Sequence, residues 1–199
     1  MKKTSLTFST RFRMLLLVAL AAFAVACGAP YKVISQAEPN PFHGAKKFVV
    51  KAIDFSKMRI GERTEQQYVA DKSERQEGSF EGDKQGMNEV FFQNLKETAA
   101  DNEISVEREP GDPNTFVIVP IVTFIEPGFY AAVVSKSSKV VMTLKILSPN
   151  GNAFDEIEIE HESRSTMTSP SSGQRLRADA EWMGGVVGDY VTKRAYGEN

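Results

Sequence analysis

Hydrophobic residues fall along this chain in two regimes. Residues 14–26 are apolar without a break and stop at Cys27. Beyond that point apolar positions come in short runs and alternations, the pattern of a domain built on strands with a few helices. Residues 48–55 predict a first strand that Val49 and Val50 make apolar on both sides, as in strands that are central or covered. Residues 57–83 are strongly polar, with Glu62, Arg63, Glu65, Asp71, Lys72, Glu74, Arg75 and Glu77 in one block. This stretch predicts either a helical turn near residues 64–71 or a mobile surface excursion, since a connector this long without a core face is often functional or unstructured.

Asp83 is placed to cap a helix in which Met87, Val90, Phe91 and Leu95 recur at helical spacing, ending near Asp101 and Asn102. Residues 104–106 predict a short edge strand, followed by a turn at Pro110-Gly111-Asp112-Pro113. Residues 115–125 are almost continuous Val, Ile and Phe, interrupted by Pro120. A proline cannot donate to a ladder, so a bulge or bend is expected there.

The strongest local signal is Asn150-Gly151, flanked by residues 139–148 and 153–166. Asn-Gly predicts a two-residue hairpin turn with both central residues at positive φ. Such a turn fixes the register: Leu144 opposite Ile157, Met142 opposite Ile159 and Val140 opposite His161 on a core face. Lys145 opposite Glu156 and Lys139 opposite Glu162 then form a charged face. After Pro170, Ser171-Ser172-Gly173 predicts a capped start to a last helix, along which Leu176, Ala180, Met183 and Val187 keep the 3.6 period. Gly184, Gly185 and Gly188 interrupt it, each costing about 1 kcal/mol against alanine. Close approach of the helix backbone to the sheet, or to a partner helix, would offset that cost.

These elements predict an α+β fold: a mainly antiparallel sheet of four to five strands with two helices packed on one face. The organisation expected is a cleaved signal at residues 1–26, a lipidated N-terminus and flexible tether at 27–45, and a single domain at 46–196 that carries the polar excursion. Pro30, Pro39 and Pro41 with polar residues between them give the tether little to bury.

Charge narrows the partners. Loss of Lys2, Lys3, Arg11 and Arg13 with the signal takes a chain of net charge −2 to about −6, which argues against nucleic acid and against a polybasic grip on lipid. With a single cysteine, no disulfide forms within the chain.

The chemical inventory is short. His43 falls in the tether and His161 on the inner face of a strand, so no His pair and no Ser-His-Asp spacing can be assembled; no catalytic residue, metal or cofactor is expected. Glu156, Glu158, Glu160 and Glu162 alternate along one strand, about 7 Å apart on its face, and read as a solvated row rather than a cation site. Ser172 and Gly173 with Arg175 offer a possible anion cradle at a helix N-terminus. Phe129, Tyr130, Val133 and Val134, beside Pro127-Gly128, offer a possible partner contact if they form an exposed loop.

The first 28 residues carry the plainest message. A basic start, thirteen apolar residues and then a cysteine are too short for a membrane span, which needs roughly 20 apolar residues, and have the order of a secretory signal. Ala24-Val25-Ala26-Cys27-Gly28 resembles the lipobox of bacterial lipoproteins, with Ala24 where a leucine is common. The alternative is an ordinary signal cut after an alanine, leaving Cys27 a free thiol. The resemblance implies a Cys27 that carries acyl chains and holds the protein on a membrane, and Gly28 in the next position implies the outer membrane, facing the periplasm. The layout of residues 46–196 resembles small periplasmic lipoproteins of Gram-negative bacteria, such as auxiliary lipoproteins of ABC transporters and activators of penicillin-binding proteins. It implies a non-enzymatic accessory or scaffold with a protein partner in the envelope. The other expectation is a carrier that holds an apolar ligand such as lipid in a cavity lined by Phe91, Met142 and Met183.

Overall fold

The computed structural model describes residues 29–131 and 133–197, which belong almost entirely to the compact unit Tyr31–Asn199. The apolar run 14–26 and Cys27 lie outside the described residues. In chain order the elements are β1 (Lys32–Ser35), β2 (Lys47–Val50), β3 (Arg59–Ile60), β4 (Arg63–Thr64), α1 (Glu65–Ala70), α2 (Glu74–Ala100), β5 (Ser105–Arg108), β6 (Phe116–Glu126), β7 (Phe129–Ala131), β8 (Val134–Lys136), β9 (Ser138–Leu147), β10 (Ala153–Ser163) and α3 (Ser172–Tyr196).

The fold is α+β, with a sheet larger and more mixed than the sequence predicts. Eight strands join in the order β1-β10-β9-β6-β2-β5, with β3 beside β6 and β4 beyond β3. β2 runs parallel to both β5 and β6, and β3 parallel to β6. The parallel pairs exist because α2 carries the chain back from β2 to β5, a crossover in place of a hairpin. On one face of the sheet Ile118, Val122, Val140, Met142, Leu144, Ile146, Ile157 and Ile159 are at most 1% exposed, in one cluster with Met87, Phe91 and Leu95 of α2 and Met183, Val187 and Val191 of α3. The alternate residues, such as Val119, Val141 and Lys145, are half-buried.

The β9–β10 pairing has the predicted register from Asp155 to Ser163, including Leu144 with Ile157, Met142 with Ile159 and Lys139 with Glu162. Its turn differs. Only Gly151 takes a positive φ, +84°, while the Gly151 amide donates to the Ser148 carbonyl at 2.9 Å. Pro149 holds the first turn position near φ −65°, where the mirror-image turn needs a positive angle. The extra turn residue is absorbed by an irregularity between Ala153 and Asp155, which restores the register.

β6 runs through Pro120 without breaking. The Pro120 carbonyl accepts from the Asp54 amide at 2.9 Å, and the neighbouring chain between Val50 and Asp54 is not in a strand, so the missing donor interrupts no ladder. The expected bulge lies later, between Val122 and Phe124.

α2 begins at Glu74, well before the expected cap at Asp83. The Gln76 side-chain carbonyl accepts from the Ser73 amide at 3.1 Å, and Gln67 does the same for Thr64 at 3.0 Å. Both are capping boxes, written in the sequence as Ser73-x-x-Gln76 and Thr64-x-x-Gln67. Residues 57–83 thus hold β3, β4, α1 and the first turns of α2, with Met58, Ile60 and Phe80 buried. The glycines of α3 face α2: a Cβ on Gly184 would fall 2.4 Å from the Phe91 carbonyl oxygen, and one on Gly188 2.6 Å from Thr98 Cβ. The partner that offsets their cost is a helix of the same chain.

Where a tether is expected, the chain from Tyr31 onward is fixed to the body. β1 pairs with β10, Phe42 is fully buried among Phe48, Phe116 and Phe154, and Gly44 donates to the carbonyl of Ala195. The reason is a buried polar knot. Arg194, 1% exposed, donates from Nε to Asp155 at 2.8 Å and from a terminal nitrogen to the Ala37 carbonyl at 2.9 Å. Ala37 returns its amide to Asp155 at 2.9 Å. Tyr190 donates to the same carboxylate at 2.6 Å.

Candidate functional site

The site is built at the end of the sheet where β6 finishes and β9 starts. Between them the chain makes a small separate hairpin, β7–β8, in which Phe129 pairs with Lys136 and Ala131 with Val134. Gly128 starts it at φ +61°, with its backbone so close to β8 that a Cβ would fall 2.3 Å from the Lys136 carbonyl oxygen. Hairpin tips favour Gly, Asn and Asp, yet this tip carries Ala131, Val133 and Val134. Val133 is 96% exposed, Val134 61% and Phe129 48%, while Tyr130 is half-buried. Met167, on the loop after β10, is 81% exposed as well.

The base of the hairpin is held by polar contacts on several sides. Lys136 pairs with Glu126 at 2.6 Å, and the Gly128 amide donates to the other oxygen of Glu126 at 3.2 Å. Ser165 donates to the Lys136 carbonyl at 2.6 Å. Arg175 reaches the base from α3, donating to the Pro127 carbonyl at 3.0 Å and to Pro170 and Ser169 at 2.7 and 3.0 Å. Its guanidinium is fully buried, and burial lowers its pKa against the opposing charge of Asp179.

At the α3 N-terminus, where the anion cradle is expected, Ser171 is the cap and accepts from Gln174 at 3.1 Å. Gly173 is buried under the carboxylate of Asp83, which also receives Arg177 at 2.8 Å. Ser172 is half-buried beside it. The negative group at this helix end is the protein's own.

Beside the hairpin base lies a ledge. β3 docks on β6 at Phe124 and Ile125, β4 folds back on β3, and α1 follows. Lys84 of α2 ties the ledge down, bonding to Glu65 at 2.5 Å and Glu81 at 2.6 Å. Burial opposes the Lys84 charge, but these two carboxylates outweigh it and its pKa is raised. Between ledge and hairpin a cleft of about 410 Å³ is lined by Ile60, Gly61, Glu62, Arg63, Tyr68, Glu126 and Pro127. The sequence offers the stretch 129–134 as an exposed contact loop and, with it, the polar residues 57–83; that the two meet at one cleft depends on the parallel β3–β6 pairing, which no local pattern encodes.

A second polar cluster lies at the same end. Asp179, fully buried, accepts from Ser138 at 2.7 Å and Ser163 at 2.6 Å and lies 2.8 Å from His161 Nδ1. The His161 ring stacks on Trp182 at 4.2 Å. Both serine hydroxyls are spent on the carboxylate, so neither is the nucleophile that a triad places on the far ring nitrogen. The charged face of the hairpin sheet carries Lys145–Glu156 and Lys139–Glu160 pairs at 3.2 and 2.6 Å. Among the described residues no group of three or more His, Cys, Asp or Glu is placed to hold a metal ion, and no helix is long and apolar enough to cross a membrane. Phe91, Met142 and Met183 are each at most 1% exposed within the core cluster.

No protein-family model matches this chain, and no curated protein does. Among solved structures, two crystal forms of the PelC dodecamer from Paraburkholderia phytofirmans, one of them a single-residue variant, are similar to it. Each aligns over 79% of this chain and 96% of its own, at 12% identity and a TM-score of 0.43.

Proposed function

We propose that this chain is a lipid-anchored protein of the bacterial envelope, held at the outer membrane by acyl chains on Cys27, that acts as a non-enzymatic accessory or scaffold by contacting other envelope components. The observation that carries the reading is the end of the sheet just described, where an apolar tip that packs against no core stands beside a cleft with charged lips. A domain that needed β7 and β8 only as a connection would not place valines there, since exposed apolar groups gathered in one place mark contact sites. The lipobox supplies the address, and two or three acyl chains suffice to hold a folded body without a spanning helix.

The protein contact is assigned to the cleft and its ledge. Arg63 and Asp71 pair at 3.0 Å with side chains 56% and 71% exposed, which leaves both within reach of an incoming partner. A photoreactive residue in place of exposed Gln66, used in intact cells, tests it. The reading expects a discrete adduct that Arg63→Glu abolishes. An adduct that also forms from exposed Asn150, in the β9–β10 turn, or one that Arg63→Glu leaves unchanged, contradicts it.

A further inference from the structure

We infer that a cleft on the helical layer, where α3 meets α2, is a docking site for an arginine-bearing segment of a partner protein. The inference goes beyond the contact assigned to the ledge, and it stands whether or not Cys27 is acylated.

The first support is shape. Ala178, Trp182, Gly185 and Asp189 recur along α3 at intervals of four, three and four, so they form one stripe on the helix. Gly185 leaves a notch in that stripe, because a Cβ there would fall 2.8 Å from the side-chain oxygen of Asn94 on α2. Trp182, Gly185 and Asn94 line a cleft of about 430 Å³, and Glu181 and Asp189 border it.

The second is a braced aromatic ring. Trp182 stacks on His161 with ring centres 4.2 Å apart and 23° between the planes. His161 Nδ1 lies 2.8 Å from buried Asp179, which Ser138 and Ser163 hold at 2.7 and 2.6 Å. The indole, 37% exposed, thus spends one face on His161 and presents its remaining surface to the cleft. A ring already fixed in this way loses little side-chain freedom when a ligand stacks on it.

The third is charge. Glu181 and Asp189 are exposed, and among the described residues neither has an ion pair or hydrogen bond. Arg177, one turn before Glu181, is spent on Asp83 at 2.8 Å, and among the described residues no lysine or arginine lines the cleft. A guanidinium answers both features at once, since it stacks on aromatic faces and grips a carboxylate through a planar fork, which an ammonium lacks. Asn94 accepts from Thr98 through its oxygen at 3.5 Å, which leaves its NH₂ group to bond a main-chain carbonyl of the segment. Glu181 and Asp189 lie about 12 Å apart along the helix axis. One guanidinium cannot reach both, so the segment carries two arginines, four positions apart in an extended chain at about 3.3 Å per residue.

The test uses the full chain, in which Trp182 is the only tryptophan, and a five-residue peptide with arginine at both ends and Gly-Ser-Gly between them. Binding is followed through the emission of Trp182 at physiological ionic strength. The site predicts a saturable change in emission, weakened about tenfold or more when Glu181→Gln and Asp189→Asn are combined. Glu74→Gln with Glu77→Gln removes the same charge from exposed positions at the start of α2, about 26 Å or more along the helix from Asn94, and should weaken binding by less than about twofold. Equal weakening by the two double variants would show attraction to net charge alone and overturns the site. A peptide that does not bind, or that binds by equilibrium dialysis and leaves Trp182 emission unchanged, overturns it as well.

Discussion

Asp155 receives Arg194, Tyr190 and the amide of Ala37 at a site where Asp155 and Arg194 are both 1% exposed. Removing one member of such a set strands the rest, at a cost of about 3–5 kcal/mol for a buried ion pair. Arg194→Met should lower the unfolding free energy by that amount in urea titration, and an effect below about 1 kcal/mol would contradict the role given to it. Burial, reinforced by the Asp155 charge, pushes the Tyr190 phenol well above its usual range. Its folded-state pKa is raised, so this contribution is complete below the ordinary tyrosine value of about 10 and is lost as pH rises from there toward the folded value. Tyr190→Phe should lower stability at neutral pH by about 1.5–3 kcal/mol and flatten the alkaline fall in unfolding experiments. None of this was legible in sequence: the bonds of the knot join residues 35 to 157 positions apart, and Arg194 falls among the polar residues of an amphipathic helix.

At the scale of elements, local chemistry was readable where it was self-contained. The β9–β10 register follows from the alternation around Asn150-Gly151 even though the turn takes another form, because the buried face tolerates no one-residue slip. The two capping boxes were also present as Thr64-x-x-Gln67 and Ser73-x-x-Gln76, and they place helices inside a stretch whose polarity suggested an excursion. What could not be read was pairing between distant segments, including the parallel strands and the helix facing Gly184. Gly184→Ala gains about 1 kcal/mol of propensity but puts a methyl 2.4 Å from the Phe91 carbonyl oxygen, and should lower stability by about 1–3 kcal/mol net. Gly82→Ala, with nothing within 4 Å, should raise it by about 1 kcal/mol; equal effects from the two in chemical denaturation would show that α2 and α3 are not in close contact. Lys84→Met removes the ion pair with Glu65 that ties α1 to α2, and hydrogen exchange should accelerate in residues 65–70 well before the sheet is affected. Exchange there no faster than in the unaltered protein would assign the hold on α1 to Tyr68 and Phe80 instead, whose rings lie 5.3 Å apart.

For the whole molecule, the fold and the anchor argue together. The compact unit Tyr31–Asn199 carries the apolar tip and the cleft together at one end of its sheet. The account stands on the acyl chains at Cys27. Cys27→Ser should move the protein from the membrane pellet to the soluble fraction without changing its unfolding curve. The most direct measurement is the intact mass of the N-terminal peptide of the protein extracted from membranes. The account predicts a chain that starts at Cys27 and carries two or three fatty acyl groups, and an N-terminus at another residue or an unmodified Cys27 would contradict it.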